Sequence, residues 1–235
     1  MAVWVGTSGY NYPEWKGNFY PQDLAAAKML PYYAARFDTV EINYTFYRTP
    51  NPQTLAGWSA ATPERFRLTL KAPKRITHDA RLKNCEDRVR YFLETASALG
   101  PKLGALLFQL PPTLRKDLAV FDAFLALLPS QTCAAFEFRH ASWLDEEVFA
   151  RLRARNLALC IADGEKVSAP VEVTADYAYF RLRDEGYTPE DLERWARAIR
   201  DKTAHCRDTY VYFKHEEAGT GPEFARRLID ALGRV

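Results

Sequence analysis

The chain has 235 residues, of which 48% are hydrophobic and 26% are charged. This composition is typical of a globular protein and excludes an intrinsically disordered chain. The formal net charge is only +2, from 32 lysines and arginines against 30 aspartates and glutamates, which lacks the strongly basic character of dedicated nucleic-acid-binding modules. Because no Gly/Ser-rich or Pro-rich linker divides the chain, we predict a single domain over residues 1–235.

The four cysteines are far apart in the sequence and form neither a Cys-x-x-Cys pair nor a Cys/His spacing that suits zinc. We therefore expect reduced thiols, and we predict no metal and no cofactor. The N-terminus lacks a basic segment followed by a long apolar segment, and 18 consecutive apolar residues occur nowhere. We expect a cytoplasmic protein that does not contact a membrane, and the sequence leaves its oligomeric state open.

Short apolar, β-branched or aromatic runs alternate along the chain with longer runs of helical periodicity. This alternation is typical of repeated βα units that build a parallel sheet. It predicts eight strands, over residues 3–6, 39–43, 67–71, 104–110, 134–139, 158–162, 177–181 and 209–214.

Helix starts are readable at two places. Thr188 precedes Pro189, Glu190 and Asp191, which predicts an N-cap followed by proline in the first turn, and Asn84 is predicted to cap a helix with acidic residues in its first turn. Other helices are predicted near residues 28–36, 52–59, 118–127, 145–155 and 221–232. Segment 164–176 contains Pro170 and an alternating pattern, so we expect no regular helix there.

Eight strands with crossover helices in about 235 residues predict an α/β fold, a single (β/α)8 barrel of the TIM type that lacks a regular helix between the sixth and seventh strands. The alternative is an open, doubly wound sheet. Against it, no Gly-x-Gly-x-x-Gly or Walker-type loop follows any strand, and Gly6-Thr7-Ser8-Gly9 is a weak match.

Side-chain alternation along each strand predicts which residues point into the barrel. In the second strand, Val40 and Ile42 should pack outward against helices, so that Glu41 and Asn43 point inward. The same phase points several other residues inward, namely Lys71, Gln109, Glu137, Arg139, Arg181, Tyr212 and Lys214. These residues, with Asp163 just past the sixth strand, lie at the C-terminal strand ends, where barrel enzymes carry their sites. Because buried charges are costly even when paired, we favour a functional site over a structural ion-pair plug.

Histidines and aromatic residues occur in the loops at the same face. His78, His140 and His215 follow predicted strands, and we favour His140 as a catalytic group because it follows Glu137-Phe138-Arg139 directly. Tyr10, Trp15 and Trp143, with Tyr12, are predicted to form a stacking wall for a sugar or a base. The alternative is that these rings pack a long loop onto the barrel.

Several motifs resemble one known family over nearly the whole chain. They are Gly6-Thr7-Ser8-Gly9-Tyr10, Val40-Glu41-Ile42-Asn43-Tyr44, Lys71-Ala72-Pro73-Lys74, Leu107-Phe108-Gln109-Leu110-Pro111-Pro112 and Glu137-Phe138-Arg139-His140. In this order they resemble the YecE-like barrels of the domain-of-unknown-function family DUF72. The resemblance implies a TIM-type barrel and supplies no established activity. The chain departs from the family pattern after the seventh strand, where it reads Arg181-Leu182-Arg183-Asp184 and the family commonly has Arg-Leu-His-Gly.

The leading functional hypothesis is a metal-independent acid–base enzyme that acts on a small anionic compound, such as a sugar phosphate or a nucleotide fragment. Glu41 or Glu137 would act as the base and His140 or Lys71 as the acid. The predicted substrate-binding residues are Asn43, Gln109, Arg139, Arg181, Lys214, Tyr10, Trp15 and Trp143. Hydrolase, isomerase and lyase chemistry all stay open.

Two alternatives belong to other classes. A divalent-metal-dependent barrel would use Glu41, Glu137, Asp163 and a loop histidine as ligands, although the interleaved lysines and arginines would compete with the metal. A non-catalytic protein would bind nucleotides or single-stranded nucleic acid through the aromatic residues and the cations at the rim.

Overall fold

In a computed structural model, which describes residues 2–164, 167–184 and 186–233, eight parallel strands close into a barrel. Each strand pairs with its neighbours in the sequence, and β1 also pairs with β8. The strands are β1 Ala2–Ser8, β2 Thr39–Ile42, β3 Arg67–Lys71, β4 Leu103–Gln109, β5 Ala134–Glu137, β6 Ala158–Ala162, β7 Tyr177–Leu182 and β8 Asp208–Phe213. The prediction of a TIM-type barrel is therefore confirmed, and the open-sheet alternative is wrong.

The helices lie outside the barrel. They are α1 Met29–Ala34, α2 Tyr44–Tyr47, α3 Pro52–Ala60, α4 Glu86–Ser97, α5 Leu118–Leu125, α6 Glu146–Ala154, α7 Pro189–Thr203 and α8 Thr220–Gly233. None of the described helices is both long enough and apolar enough to cross a membrane.

The two predicted helix starts have different outcomes. Thr188 caps α7 as predicted, because its side chain accepts from the Asp191 amide while the Asp191 carboxylate accepts from the Thr188 amide. The Asn84 prediction is wrong, since α4 begins at Glu86 after Cys85 and has no side-chain cap. Asn84 instead has a φ of 47°, so it turns the chain in the left-handed region, which asparagine tolerates better than most residues.

The segment between β6 and β7 contains no helix in its described part, residues 163–164 and 167–176, as predicted. Thr174 holds this extended segment against β6. Its hydroxyl donates to the Leu157 carbonyl at 2.7 Å and accepts from the Leu159 amide at 2.8 Å. A side chain therefore supplies the hydrogen bonds that fasten the crossover.

Several predicted strands extend beyond the observed ends. Because β2, β5 and β8 end at Ile42, Glu137 and Phe213, Asn43, Arg139 and Lys214 lie in the loops that follow them. The sequence did not predict three short elements in the loops that follow β2, β3 and β5, which are α2, a π-helical turn at Arg75–Asp79 and a 3-10 turn at Ala141–Trp143. Loop geometry therefore decides where the last predicted site residues point.

The barrel interior consists of layers of side chains. Its middle is filled by tyrosines and small residues, which are Ala105, Leu107, Ala135, Ala158, Cys160, Tyr177, Tyr179, Tyr210 and Tyr212. The Tyr212 hydroxyl is 2.7 Å from the Thr39 hydroxyl and 2.8 Å from the Thr69 hydroxyl. Glu41 and Lys71 follow these two threonines by two residues, so they lie one layer closer to the C-terminal mouth.

Candidate functional site

The C-terminal layer of the barrel is organised around the guanidinium of Arg181. Its Nε donates to Glu41 Oε1 at 3.0 Å, its Nη1 to Glu137 Oε2 at 3.0 Å and its Nη2 to Ser8 Oγ at 3.0 Å. Glu41 also accepts from the Ser8 and Tyr179 hydroxyls, and Glu137 accepts from Gln109 Nε2 at 2.8 Å. We call these six residues the charged platform: Ser8, Glu41, Gln109, Glu137, Tyr179 and Arg181.

The carboxylates of the charged platform are excluded from solvent and ionised. Burial, the largest single effect, raises the pKa of Glu41 and of Glu137, but the positive charge of Arg181 together with hydrogen bonds and neighbouring cations outweighs it, so that both pKa values fall below the ordinary value. The two carboxylates in turn hold the pKa of Arg181 above its ordinary value. Each buried carboxylate therefore has a positive partner, since both pair with Arg181 and Glu137 also lies 3.6 Å from Arg183.

Lys71 lies at the edge of the charged platform without joining it. Its side chain is buried, with 8% of the residue exposed, yet Nζ makes no hydrogen bond or ion pair with any described residue. The ammonium lies 4.3 Å from the centre of the Phe46 ring. Burial, reinforced by the charge of Arg181, lowers the pKa of Lys71 to about 7.

Two arginines lie beyond the charged platform toward the solvent. Arg139 is half-buried and makes no hydrogen bond or ion pair in the part of the chain that the structure describes. Arg183 has 28% of its side chain exposed, lies 3.6 Å from Glu137 Oε1 and has a buried Nε without a partner. We call Lys71, Arg139 and Arg183 the outer cations.

The outer cations act on one another and on His78. The pKa of His78 is lowered by burial first, and then by the charges of Lys71 and Arg139. The pKa of Arg183 is lowered by burial, by Arg181 and also by Arg139, against the opposing effect of Glu137. The outer cations are therefore close enough to act on one another electrostatically, and the potential around them is positive.

Asn43 lies between the charged platform and a cavity. Its Nδ2 donates to Ser8 Oγ at 2.9 Å, while its buried Oδ1 has no partner. A cavity of about 330 Å3 adjoins it, and we call it the aromatic cavity; its lining includes Tyr10, Tyr12, Asn43, Tyr44 and Trp58. Of the rings predicted to form a stacking wall, Tyr10 and Tyr12 thus lie beside a polar group of the site.

The two predicted tryptophans lie elsewhere. Trp15 is fully buried and its Nε1 donates to the Glu216 carbonyl at 2.9 Å. Trp143 is 1% exposed, stacks on Phe138 with ring centres 5.1 Å apart, and donates to the Leu114 carbonyl at 2.8 Å. The structure therefore places both rings in packing contacts outside the space among the outer cations.

Three other residues singled out in the sequence, His140, Lys214 and His215, make their contacts within the loops. His140 caps the turn that follows it, because its Nδ1 accepts from the Ser142 amide at 3.2 Å. Lys214 pairs with Glu216, and it also contributes to lowering the pKa of Lys71. His215 is buried, with its Nε2 2.6 Å from the Asp184 carbonyl.

Asp163 fixes the loop that carries Arg183. Its carboxylate accepts from the Arg183 amide at 2.5 Å and from the Tyr187 hydroxyl. Burial raises the pKa of Asp163, against the lowering effect of these hydrogen bonds. Asp163 therefore positions the backbone at Arg183.

The described residues include no group of three or more His, Cys, Asp or Glu side chains arranged to hold a metal ion. The two carboxylates that a metal would require, Glu41 and Glu137, both bind the guanidinium of Arg181. A cation already lies between them, and it is part of the protein.

Sequence reasoning missed Ser8, Tyr179 and Arg183 as site residues. The alternation that predicts Arg181 inward also predicts Tyr179 and Arg183 inward, so the signal was present in the strand phase. Ser8 was not assigned because β1 was predicted to end at Gly6, whereas it continues to Ser8 and pairs there with Glu41.

Comparisons with known proteins agree with this architecture. The family model described as "Protein of unknown function DUF72" matches residues 4–235. The chain belongs to the DUF72 family. A DUF72 family protein from Thermotoga maritima has a solved structure with a TM-score of 0.85 and 26% sequence identity, and the match covers 99% of both chains.

Two curated relatives are similar to this DUF72 chain in sequence. The UPF0759 protein YecE of Escherichia coli (strain K12) is 31% identical over 173 residues, which cover 71% of this chain and 61% of YecE, so the match spans less than two thirds of that relative. The UPF0759 protein YunF of Bacillus subtilis (strain 168) is 22% identical over 98% of this chain and 94% of YunF. Their names state no activity, so the function has to be argued from the site.

Proposed function

We propose that this DUF72 protein is a metal-independent enzyme that binds a small anionic substrate at the C-terminal mouth of the barrel, with Lys71 as the group that moves a proton. The observation that carries the proposal is the excess of cations at this mouth. Arg181, Lys71, Arg139 and Arg183 provide four positive groups, whereas the charged platform provides two carboxylates, Glu41 and Glu137, both bound to Arg181.

A bound anion would satisfy the outer cations. Arg139 has no partner among the described residues, and the buried Nε of Arg183 has none either. An unpaired buried donor costs about 1–3 kcal/mol, and arginine guanidinium groups bind phosphates and carboxylates through paired hydrogen bonds. A phosphate or a carboxylate has the charge and the acceptors that these side chains lack.

Lys71 is suited to proton transfer because its pKa of about 7 lies near neutral pH. Glu41 and Glu137 have low pKa values and are bound to Arg181, so we assign them to positioning Arg181 rather than to the base role. His140, which caps a turn, is assigned to the loop. Lys71 is therefore assigned as the group that transfers a proton. Lys214 and Arg181 add to the positive potential around it.

A thermal-shift screen tests the proposal with sugar phosphates, nucleotides, neutral sugars and divalent metals, each with a chelator control. A ligand at one hundred times its dissociation constant adds about 2.7 kcal/mol, which raises the melting temperature of a chain this size by about 5–10 °C. We expect one anionic class to shift the wild type and not Arg139→Ala. Arg65→Ala is the matched control, because Arg65 is exposed and pairs with Asp38 away from the mouth.

Two outcomes would contradict the proposal. Equal shifts in the wild type and in Arg139→Ala would place the anion elsewhere on the protein. A shift that requires a divalent metal and disappears on chelation would favour the metal-dependent alternative.

A nucleotide-binding protein without catalysis is the second candidate, and the aromatic cavity favours it. Tyr10, Tyr12, Tyr44 and Trp58 supply rings on which a base can stack, and the unpaired Asn43 Oδ1 can accept a hydrogen bond from it. Mononucleotides would then bind more tightly than their sugar phosphates, and Trp58→Ala would remove that difference. No turnover of any bound nucleotide would be observed.

A further inference from the structure

The amino group of Lys71 has different surroundings from that of Lys102, which is also buried. Both residues are nearly excluded from solvent, with 8% and 7% exposed. Lys102 Nζ donates to the Ser59 carbonyl at 2.7 Å and to the Thr62 carbonyl at 2.8 Å. Lys71 Nζ donates to no described residue and lies against the Phe46 ring. The fold therefore provides carbonyl acceptors for Lys102 Nζ and, among the described residues, none for Lys71 Nζ.

An amine in this position is a nucleophile. A neutral amine has a lone pair that an ammonium lacks, and burial beside Arg181 favours the neutral form, because it lowers the pKa of Lys71 to about 7. No carboxylate of the described residues is within ion-pair distance of Nζ to hold the proton there. The neutral form of Lys71 is therefore accessible near neutral pH.

The position of Lys71 in the fold directs this nucleophile toward the anion site. Lys71 is the last residue of β3, at the mouth, and it shares its layer with the charged platform. Of the other outer cations, Arg183 follows β7, four strands from β3 and so across the barrel, and Arg139 follows β5, which lies between them in the strand order. An anionic group held by these arginines would present the rest of a small substrate to Lys71.

We infer that Lys71 forms a Schiff base with the carbonyl group of an aldehyde or ketone whose phosphate or carboxylate is bound by Arg139 and Arg183. This inference rests on the proposed function, since it requires the anion site at the mouth. It narrows the substrate class to anionic carbonyl compounds, and it assigns to Lys71 a covalent role in addition to proton transfer.

The step balances without any further reactant. The Nζ lone pair attacks the carbonyl carbon, a C–N bond forms, and the carbonyl π electrons move to oxygen. A proton from nitrogen converts this oxygen to the hydroxyl of a carbinolamine. The nitrogen lone pair then expels the hydroxyl, which leaves as water with the second nitrogen proton, and an imine remains. No oxidant, reductant or metal takes part.

Borohydride trapping with matched probe pairs tests the inference. The first pair is glyceraldehyde 3-phosphate and glycerol 3-phosphate, and the second is pyruvate and lactate. In each pair only the first member has an aldehyde or ketone group, and the two pairs distinguish a phosphate from a carboxylate as the anchor. Reduction fixes an imine as a stable secondary amine, which peptide mass spectrometry assigns to a single lysine.

We expect one carbonyl probe to label Lys71 and to leave Lys102 unlabelled, with labelling at least tenfold weaker in Arg139→Ala. Lys71→Arg keeps a cation but has no primary amine, so it should still bind the alcohol probe and should not be trapped. Far-UV circular dichroism and the melting temperature establish that each variant is folded.

The outcomes separate this inference from the proposed function. If an alcohol probe binds through Arg139 but neither carbonyl probe is trapped at Lys71, the Schiff base is wrong and the anion site stands. If labelling spreads over exposed lysines at the same rate in the wild type and in Arg139→Ala, the Schiff base is also wrong. If no member of either pair binds, the proposed anion site itself fails for small phosphates and carboxylates.

Discussion

Arg181 and Arg183 lie two residues apart at the mouth end of β7, yet the structure treats them in opposite ways. Arg181 has 1% of its side chain exposed, and its guanidinium donates to Glu41, Glu137 and Ser8. Arg183 has 28% of its side chain exposed, one carboxylate at 3.6 Å and an unpaired buried Nε. The same residue type is thus saturated in the inner layer and unsatisfied in the outer layer.

This difference separates stability from binding. A saturated buried charge cannot bind a ligand without breaking its own contacts, whereas an unsatisfied one gains a partner when a ligand arrives. We therefore expect substitutions in the charged platform to change folding, and substitutions of the outer cations to change ligand affinity.

The largest effect should come from Arg181→Met. Removing the guanidinium leaves Glu41 buried without a counterion and leaves Glu137 only Arg183, 3.6 Å away. We expect this to lower the free energy of unfolding by about 3–5 kcal/mol in urea denaturation. Arg65→Met, which breaks an exposed pair, should cost less than about 1 kcal/mol. Adding Glu41→Gln and Glu137→Gln to Arg181→Met should recover much of the loss, and a triple variant no more stable than Arg181→Met would contradict this account.

Arg183→Ala should change ligand affinity and leave the free energy of unfolding nearly unchanged, the reverse of Arg181→Met. We expect its free energy of unfolding to change by less than about 0.5 kcal/mol, and its affinity for inorganic phosphate to fall by about 10–100-fold, since hydrogen bonds to charged groups contribute about 1.5–3 kcal/mol. Isothermal titration calorimetry and urea denaturation measure the two quantities. A variant that loses stability but keeps its affinity would assign Arg183 to the platform.

Lys71→Met should stabilise the protein at pH 7, by about 1–2 kcal/mol, because it removes the charge of a side chain that is 8% exposed and donates to no described residue. The pKa of Lys71 is about 7 in the folded protein and 10.5 ordinarily, so the unfolded chain binds more protons between these values. The free energy of unfolding of the wild type should therefore rise with pH over this window. Arg181 and Lys214 contribute to this rise because they lower the pKa of Lys71, whereas Glu41 and Glu137 oppose it.

The rise should be smaller in Lys71→Met, and urea denaturation at pH 7 and pH 9.5 measures it. Lys102→Met is the matched control. It should destabilise the protein, because the Ser59 and Thr62 carbonyls lose their donor. An equal loss of stability in both lysine variants would mean that Lys71 is held as firmly as Lys102.

The smallest effect should be that of salt on ligand affinity. One anion held by a few partly buried cations should lose less than about tenfold in affinity between 50 and 200 mM salt, whereas a nucleic-acid backbone bound through 6–10 phosphates would lose about 10³–10⁵. Titrations with inorganic phosphate and with a single-stranded oligonucleotide at both salt concentrations measure this. A steep slope for the oligonucleotide would favour the nucleic-acid-binding alternative.

The sequence determined the barrel and the charged residues of its inner layer. Strand alternation and helix periodicity depend on local backbone geometry, so they predicted eight parallel strands and the missing helix before β7, and they placed Glu41, Lys71, Glu137 and Arg181 in one phase. The Thr188 cap was readable for the same reason, because its partner Asp191 lies three residues away.

Only the tertiary structure decided which of these charges are free. The contact between Arg181 and Glu41 joins residues 140 positions apart. Nothing in either segment indicates that Arg181 pairs there, while Arg139 has no partner among the described residues. Strand ends mattered as well, because the inward orientation predicted for Arg139 and Lys214 assumed that both lie in strands, whereas β5 and β8 end before them. Pairing, burial and the resulting pKa values depend on which strands meet around the barrel, and chain proximity does not encode that.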